Sequence, residues 1–478
     1  MTRDEFHKLY QEGEEATYAL FEQILNRLIA VERRLAQNSN NSSQPPSSDG
    51  LCKPTLKPMP QSLRKKTDKK PGGQKGATGK TLLQVEKPDQ IVAHRPEFCS
   101  HCRISLQDAH EITYSRRQVF EMPNPHVVVT EHRALRLRCR CCNKETQSSF
   151  PPSVTHPVQY GPHLLGFATY LHSVHLLPFA RCAQVVQEMT GAAFCAGSLS
   201  HALSTASTRL ESFDEQLQEA LGRVDLKHAD ETGCRVAGKL QWIHVAKLRF
   251  QLVRCTKTLC RLFRHDNRGG VAVEDLRQYS GTLMSDFYSS YVRLYCSHQF
   301  CGSHLLRELT FVDEVLGQSW AGSLKAVIEQ MVSCCHRARD GGVESVAQAQ
   351  TLSCLFDDWV EQGLAMNPLP APQNKKRGRV AKGKVRCLLE RLQNFRSEYL
   401  AFLFDLSLPF TNNEAERDLR MLKVKSKISG CFRTVAGADV FCRLRSYILT
   451  CQKQRMRLLD CLYSLFVGKP KMPDLSPA

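Results

Sequence analysis

The chain has no long apolar run. No stretch reaches the roughly 18 residues that a membrane-spanning helix needs, which argues against a spanning protein. Its first ten residues, Met1 to Tyr10, are charged throughout and lack the apolar centre of a signal peptide. Acid is scarce relative to base: 47 Asp and Glu face 65 Lys and Arg, a net charge of +18. Such an excess points to a polyanionic partner or, less often, only to solubility, and with no apolar run to span a membrane the partner expected is nucleic acid. A regular cysteine framework is also missing. The 21 cysteines are scattered, so in a chain without an export signal they read as free thiols or metal ligands rather than disulfides. The expected location is cytoplasmic, associated with the nucleoid. At 478 residues the chain exceeds one compact core, so two to four domains are expected.

Between residues 3 and 36, Phe21, Ile24, Leu28, Val31 and Leu35 recur at spacings of 3, 4, 3 and 4. That is the seam of an amphipathic, zipper-like helix (1–36) or of a helix packed on its own protein; Gly13 weakens its first half. Residues 37–84 form a linker. Asn38 to Asp49 is rich in Asn, Ser and Pro, and Lys53 to Lys80 holds nine Lys or Arg against one acid, Asp68. It cannot bury a core and is expected to be disordered when free, with Lys65, Lys66, Lys69 and Lys70 as candidate DNA contacts. Residues 85–150 carry Cys99-x-x-Cys102 and Cys139-x-x-Cys142, with the β-branched run Val127 to Val129 between them. Two such knuckles suit a structural, tetrahedral Zn²⁺ held by Cys99, Cys102, Cys139 and Cys142 in a small β domain. Residues 151–225 read as a helical DNA-binding segment. Ala180 to Met189, a turn at Gly191 and a helix from Ser198 are compatible with a helix-turn-helix, and equally with any antiparallel helix pair.

The chemistry lies further on. Lys227 to Gly233 places Asp230 on a buried strand, followed by a hairpin turning at Ala237-Gly238. A helix over Gly269 to Tyr279 is expected to cross to a second strand, Gly281 to Asp286. Strands, helix, strand is the order of a ribonuclease-H-like α/β core. Much later, Asn413 starts a helix carrying Glu416, which is either half of a capping box or a third functional carboxylate. Acids on strand, strand and helix are what a pair of divalent ions needs for phosphoryl transfer. Arg417, Arg420, Lys423, Lys425 and Lys427 follow Glu416. A loop at 374–386 with seven Lys or Arg adds Lys375, Lys376, Arg377 and Arg379 as candidate DNA contacts. Cys301-x-x-His304 is a pair that could bind metal, but with only two ligands in sight it is expected to pack and position beside the site.

The combination Asp230-Glu-Thr-Gly, Asp286-Phe-Tyr-Ser-Ser-Tyr, Cys301-x-x-His304 and Asn412-Asn413-x-Ala-Glu416-Arg417 resembles the DDE transposases of the insertion sequence 66 family. Asn41-Ser-Ser-Gln-Pro-Pro-Ser-Ser-Asp49 and Lys70-Pro-Gly-Gly-Gln-Lys-Gly76 resemble that family's linker, and the paired cysteines its zinc-binding domain. The resemblance implies that Asp230, Asp286 and Glu416 are the metal-binding catalytic triad, with Glu231 and Glu414 as bystanders and His228 lining the site. Many relatives carry an Arg-Lys-Asn run after the glutamate helix; here that stretch is Lys423-Val-Lys-Ser-Lys-Ile-Ser-Gly-Cys-Phe-Arg433.

The expectation is therefore a multidomain α/β protein. Its ribonuclease-H-like core (226–304 and 406–450) is interrupted by a helical insertion (305–405) and followed by a C-terminal tail (451–478), with the apolar run Phe441 to Phe466 reading as a helix or two. Mg²⁺ or Mn²⁺ would serve catalysis and Zn²⁺ structure. Double-stranded DNA, both element ends and target, is the expected partner of a homo-oligomer, with accessory proteins as further partners. Two rivals share these residues: a ribonuclease-H-fold nuclease that does not join strands, and a zinc-dependent DNA-binding regulator with an inactive core.

Overall fold

The computed structural model describes residues 10–11, 13–35, 82–122, 125–237, 239–252, 255–265, 276–341, 346–369 and 382–476. The chain divides into two compact units, Gln61–Val128 and the remainder. Among the described residues of the smaller unit regular structure is sparse. A short bridge pairs Phe98 with Ser105, and the Gln118 side-chain amide exchanges two 2.7 Å hydrogen bonds with the backbone of Val85. The strand expected at Val127–Val129 does not form, and Val128 and Val129 are exposed. β-branched residues make a strand only where a partner accepts their backbone groups.

The larger unit begins with helix α1 (Glu14–Leu35). Gly13, at φ +110°, stands directly before it, in a conformation that L side chains avoid. Phe21, Ile24, Leu28 and Val31 on α1 are all about half exposed or more. A three-residue hairpin follows, β1 (Arg136–Arg138) with β2 (Glu145–Gln147). Four helices come next: α2 (Pro162–Ser173), α3 (Phe179–Thr190), α4 (Ala196–Thr208) and α5 (Glu211–Gly222). Gly191 ends α3 in the left-handed conformation at φ 71°, the common glycine stop.

A five-stranded sheet, in the order β5-β4-β3-β6-β7, forms the centre. Strand β3 (Leu226–Val236) pairs antiparallel with β4 (Lys239–Leu252), with Val236 opposite Lys239, and β4 pairs antiparallel with β5 (Cys255–His265). On its other side β3 runs parallel to β6 (Thr282–Ser285), and β6 runs parallel to β7 (Ser297–Phe300). Of the crossover helix expected over Gly269 to Tyr279, residues 269–275 lie outside the described residues; Leu276 to Tyr279 form a turn. A short helix α6 (Ser289–Val292) links β6 to β7.

After β7 come α7 (Gly302–Glu314), α8 (Ser319–Arg339), α9 (Val346–Met366), α10 (Lys384–Asn394) and α11 (Arg396–Phe404). They share an apolar core with Phe300 of β7, centred on Trp320, Phe356 and Phe402. The chain then returns to the sheet as α12 (Asn413–Ser429), α13 (Val435–Lys453) and α14 (Leu458–Val467). Leu419 and Leu422 of α12 pack against Cys234 and Val236 of β3. Helix α13 covers β5: Ser446 Oγ accepts from Leu262 N at 2.8 Å, and Thr450 Oγ1 from Cys260 N at 3.2 Å. Residues 451–478, read from sequence as a tail, hold α14. It buries Leu462 and Leu465 with Ala168 of α2, and Gly166 of α2 lets the Tyr463 backbone approach so closely that an added Cβ would sit 3.1 Å from it. No helix among the described residues is long and apolar enough to cross a membrane.

Candidate active site

Strand register brings the first two acids together. β3 and β6 are parallel and pair His228 with Met284. Two residues further along each stand Asp230 and Asp286, on the same pleat face, one residue past the end of β6. The first half of β3 is buried on both faces, as a central parallel strand should be; its second half alternates, with Thr232, Cys234 and Val236 buried. Those even-numbered residues face α12, so Asp230 shares the side from which Glu416 approaches.

The acids feel one another. Burial first, then the charges of Asp286, Glu231 and Glu416, push the Asp230 carboxyl well above the usual carboxylate range. Glu231, one residue on, points to the other face of the sheet, where it accepts the Tyr291 hydroxyl at 2.7 Å. Burial and the Glu231 carboxylate hold the Tyr291 phenol well above its usual range, so it stays a donor. Asp286 accepts from Tyr288 N at 3.2 Å, the turn role that an aspartate after a strand commonly has.

Helix α12 is capped by Asn412 rather than Asn413, and the Asn412 side chain makes no capping hydrogen bond. It is spent elsewhere. Asn412 Nδ2 donates to the Ala229 carbonyl at 2.8 Å, which turns Oδ1 toward His228, and His228 Nδ1 donates to it at 2.8 Å. The imidazole therefore carries its proton on Nδ1. Asn412 N also donates to Cys301 Sγ at 3.2 Å. One residue thus ties the Glu416 helix to the Asp230 strand and to the start of α7. Gly302 completes the junction: its N–H donates to Phe410 O at 2.9 Å, and an added Cβ would collide with the Phe410 ring.

Glu416 Oε1 is buried without a hydrogen-bond partner, so the capping-box role expected for it is not made by that oxygen. It faces His304 Nδ1 at 3.8 Å, an atom likewise buried and without a hydrogen-bond partner. Among the described residues, Cys301, His304 and Glu416 form the group of metal-ligating side chains whose ligand atoms all lie within 4.8 Å of one another. Asp230, Asp286 and Glu416 interact through charge but do not close to that distance. The roles of Asn412 and Tyr291 were missed in the sequence, although both stand in the motifs read there.

The basic candidates separate by helix geometry. Glu416, Arg420, Lys423 and Lys427 are spaced by four, three and four residues and make one stripe along α12. Arg417, Arg420, Lys423 and Lys427 are exposed. Lys425 corrects the reading: it lies on the opposite side, 8% exposed, with its ammonium over the rings of Phe441 (4.9 Å) and Phe432 (5.4 Å). It cannot reach a phosphate from there. Lys65, Lys66, Lys69 and Lys70, and Lys375, Lys376, Arg377 and Arg379, lie outside the described residues.

The two cysteine knuckles fall in different units, and each has its own geometry. In the first, Arg103 N donates to Cys99 O (3.0 Å) and Cys99 N to Ile104 O (2.9 Å), with Arg103 at φ 60°. In the second, Asn143 N donates to Cys139 O (2.9 Å) and Cys139 N to Lys144 O (2.8 Å), with Asn143 at φ 58°. Backbone N–H groups of Cys102 and His101 lower the Cys99 thiol, and those of Cys142 and Cys141 lower Cys139. Both knuckles therefore favour the thiolate that a zinc ion binds.

Comparison with known families identifies first a class. A family described as the zinc-finger binding domain of transposase IS66 matches residues 96–143, spanning both knuckles. This is the zinc-binding segment of a transposase. The Transposase IS66 family matches residues 157–440, more than half of the chain, and the chain belongs to that family. A family of unknown function, DUF6444, matches residues 4–82. No curated protein matches the sequence.

Proposed function

We propose that this transposase cuts and rejoins DNA at the ends of its mobile element, using Asp230, Asp286 and Glu416 as the acids of a two-metal DDE site on a ribonuclease-H-like core. The observation that carries this reading is the register of β3 and β6, which sets Asp230 beside Asp286 with a third acid, Glu416, approaching from α12 on the same side. Mutually repelling carboxylates in a partly buried site suit divalent cations, and the unpartnered Glu416 Oε1 is an oxygen free to serve one. Bound there, Mg²⁺ or Mn²⁺ would activate the attacking oxygen and stabilise the leaving 3′-oxygen.

The chain's own residues would do the positioning. Asp230 is fixed by a central strand, and Glu416 by the Asn412 clasp. Arg417, Arg420, Lys423 and Lys427 would lead the phosphate backbone toward the acids. Cys99, Cys102, Cys139 and Cys142 would share one structural Zn²⁺ in a DNA-binding region that includes the helices of residues 151–225. The helical insertion (305–405) would brace the core, and exposed α1 would contribute to a homo-oligomer that holds two ends.

The test is cleavage of duplex DNA taken from the gene's own flanks, with Mg²⁺ or Mn²⁺ and with the Asp286→Ala protein alongside. Metal-dependent nicking that falls by about 10³-fold or more in the variant is expected, since these ions contribute several kcal/mol of transition-state stabilisation. Equal nicking by both proteins would remove Asp286 from the site. Nicking without strand transfer would favour the non-joining nuclease.

A further inference from the structure

We propose that Cys301, His304 and Glu416 form a second, softer ion site that takes Zn²⁺ or a similar borderline divalent cation and, by engaging Glu416, draws it away from the other two acids. The inhibitory half of this proposal rests on the reading of Glu416 as the third acid; the ion site itself rests on geometry alone.

Three observations carry it. First, thiol, imidazole and carboxylate converge, with a ligand atom of each within 4.8 Å of the others. Ligand atoms around a tetrahedral zinc lie about 3.3–3.8 Å apart, given bonds of about 2.0–2.3 Å. His304 Nδ1 and Glu416 Oε1 already stand 3.8 Å apart. Second, those two atoms are both buried and both lack a hydrogen-bond partner. Two orphaned polar atoms facing each other are costly, and at 3.8 Å they are too far apart to satisfy one another directly. Third, Cys301 sits at the cap position of α7 and its sulfur accepts the Asn412 N–H at 3.2 Å; burial and the Glu416 charge push the thiol up to about 11, so it stays protonated until a cation binds and displaces the proton.

The donor set decides the ion. A thiolate and an imidazole select zinc over magnesium, which prefers oxygen alone. Thiolate, carboxylate and neutral imidazole around a divalent ion sum to zero charge, and a water can complete the tetrahedron. The thiol proton leaves to solvent on binding. The site requires only small side-chain movements, because Cys301 and His304 are one helical turn apart at the start of α7 and Glu416 already reaches them.

The experiment uses the full-length protein with its cysteine knuckles pre-filled with zinc and titrates it with Co²⁺ as a spectroscopic probe. Wild type should bind one more equivalent than Cys301→Ser and His304→Gln, with a thiolate-to-cobalt absorption band absent from Cys301→Ser. His304→Gln keeps the test valid if the fully buried Cys301 does not tolerate change. Equal cobalt uptake by wild type and His304→Gln would overturn the site. In the cleavage assay, each protein is compared with its own zinc-free rate. The free Zn²⁺ that halves the Mg²⁺-dependent rate should rise at least tenfold in His304→Gln, and an unchanged value would overturn the inhibition. If no DNA is cut by any protein, the functional reading fails while the cobalt result still decides the site.

Discussion

His228 and Asn412, 184 residues apart in the chain, share a 2.8 Å hydrogen bond between buried side chains. With the bond from Asn412 Nδ2 to Ala229 O, it fixes the helix of Glu416 against the strand of Asp230. Asn412→Ala leaves an imidazole N–H and a carbonyl buried without their partner, each worth about 1–3 kcal/mol. A loss of about 2–4 kcal/mol in urea unfolding is expected, and more than a tenfold loss of strand cleavage through misplacement of Glu416. Asn413, next door and exposed, should tolerate alanine within about 0.5 kcal/mol. Equal effects at the two positions would refute the clasp.

Asp230 is destabilised where it stands, by burial and by three neighbouring acids. Asp230→Asn keeps the shape and removes one of the repelling charges. In the absence of divalent ions it should raise the thermal midpoint, by the roughly 0.5–2 kcal/mol common for relieved functional strain, while cleavage is lost. Scanning calorimetry at neutral pH with a chelator decides it; a lower midpoint would contradict the crowding.

Lys425 is a buried cation among His172, Cys182, Phe432 and Phe441, and burial lowers it from 10.5 to about 8. The unfolded chain therefore binds more protons between pH 8 and 10.5, so folded stability rises with pH across that window. Lys425→Met should stabilise the protein at pH 7 by about 1–3 kcal/mol and abolish the rise. Urea midpoints measured from pH 7 to 10 test both. His172, held down at about 4 by burial and by Lys425, acts with the same sign in a lower window: its contribution is complete above 6.5 and is lost as pH falls toward 4.

The exposed stripe on α12 makes a separate claim about DNA. Arg420→Ala and Lys423→Ala should each weaken binding to any duplex and reduce the slope of log K against log salt by about 1. Lys425→Met should leave that slope unchanged. Filter binding at several salt concentrations measures it.

The contrast between Lys423 and Lys425 shows what could be read from the sequence. A run of cations after a glutamate is visible at once, but which of them face solvent follows from the 3.6-residue period: Lys425 falls on the side carrying Leu422. The strand of Asp230, the turn at Ala237 and the Gly191 stop rest on local pattern and were legible. Asn412 was not, because its partners lie 183 and 184 residues away and its amide looks like any helix cap. The Val127 run misled because β-branched residues report willingness to pair without supplying a partner. The apolar run from Phe441 to Phe466 announced a helix or two, but not that α14 packs on α2, because that surface is remote in sequence.

The cover over β5 has a further consequence. Ser446 and Thr450 occupy the outward N–H groups of Leu262 and Cys260, the groups by which an open sheet border would recruit a foreign strand. At that border the sheet cannot be lengthened by a neighbouring copy unless α13 first lifts away. A protein expected to gather in several copies on DNA would thereby be insulated from joining its copies through this border.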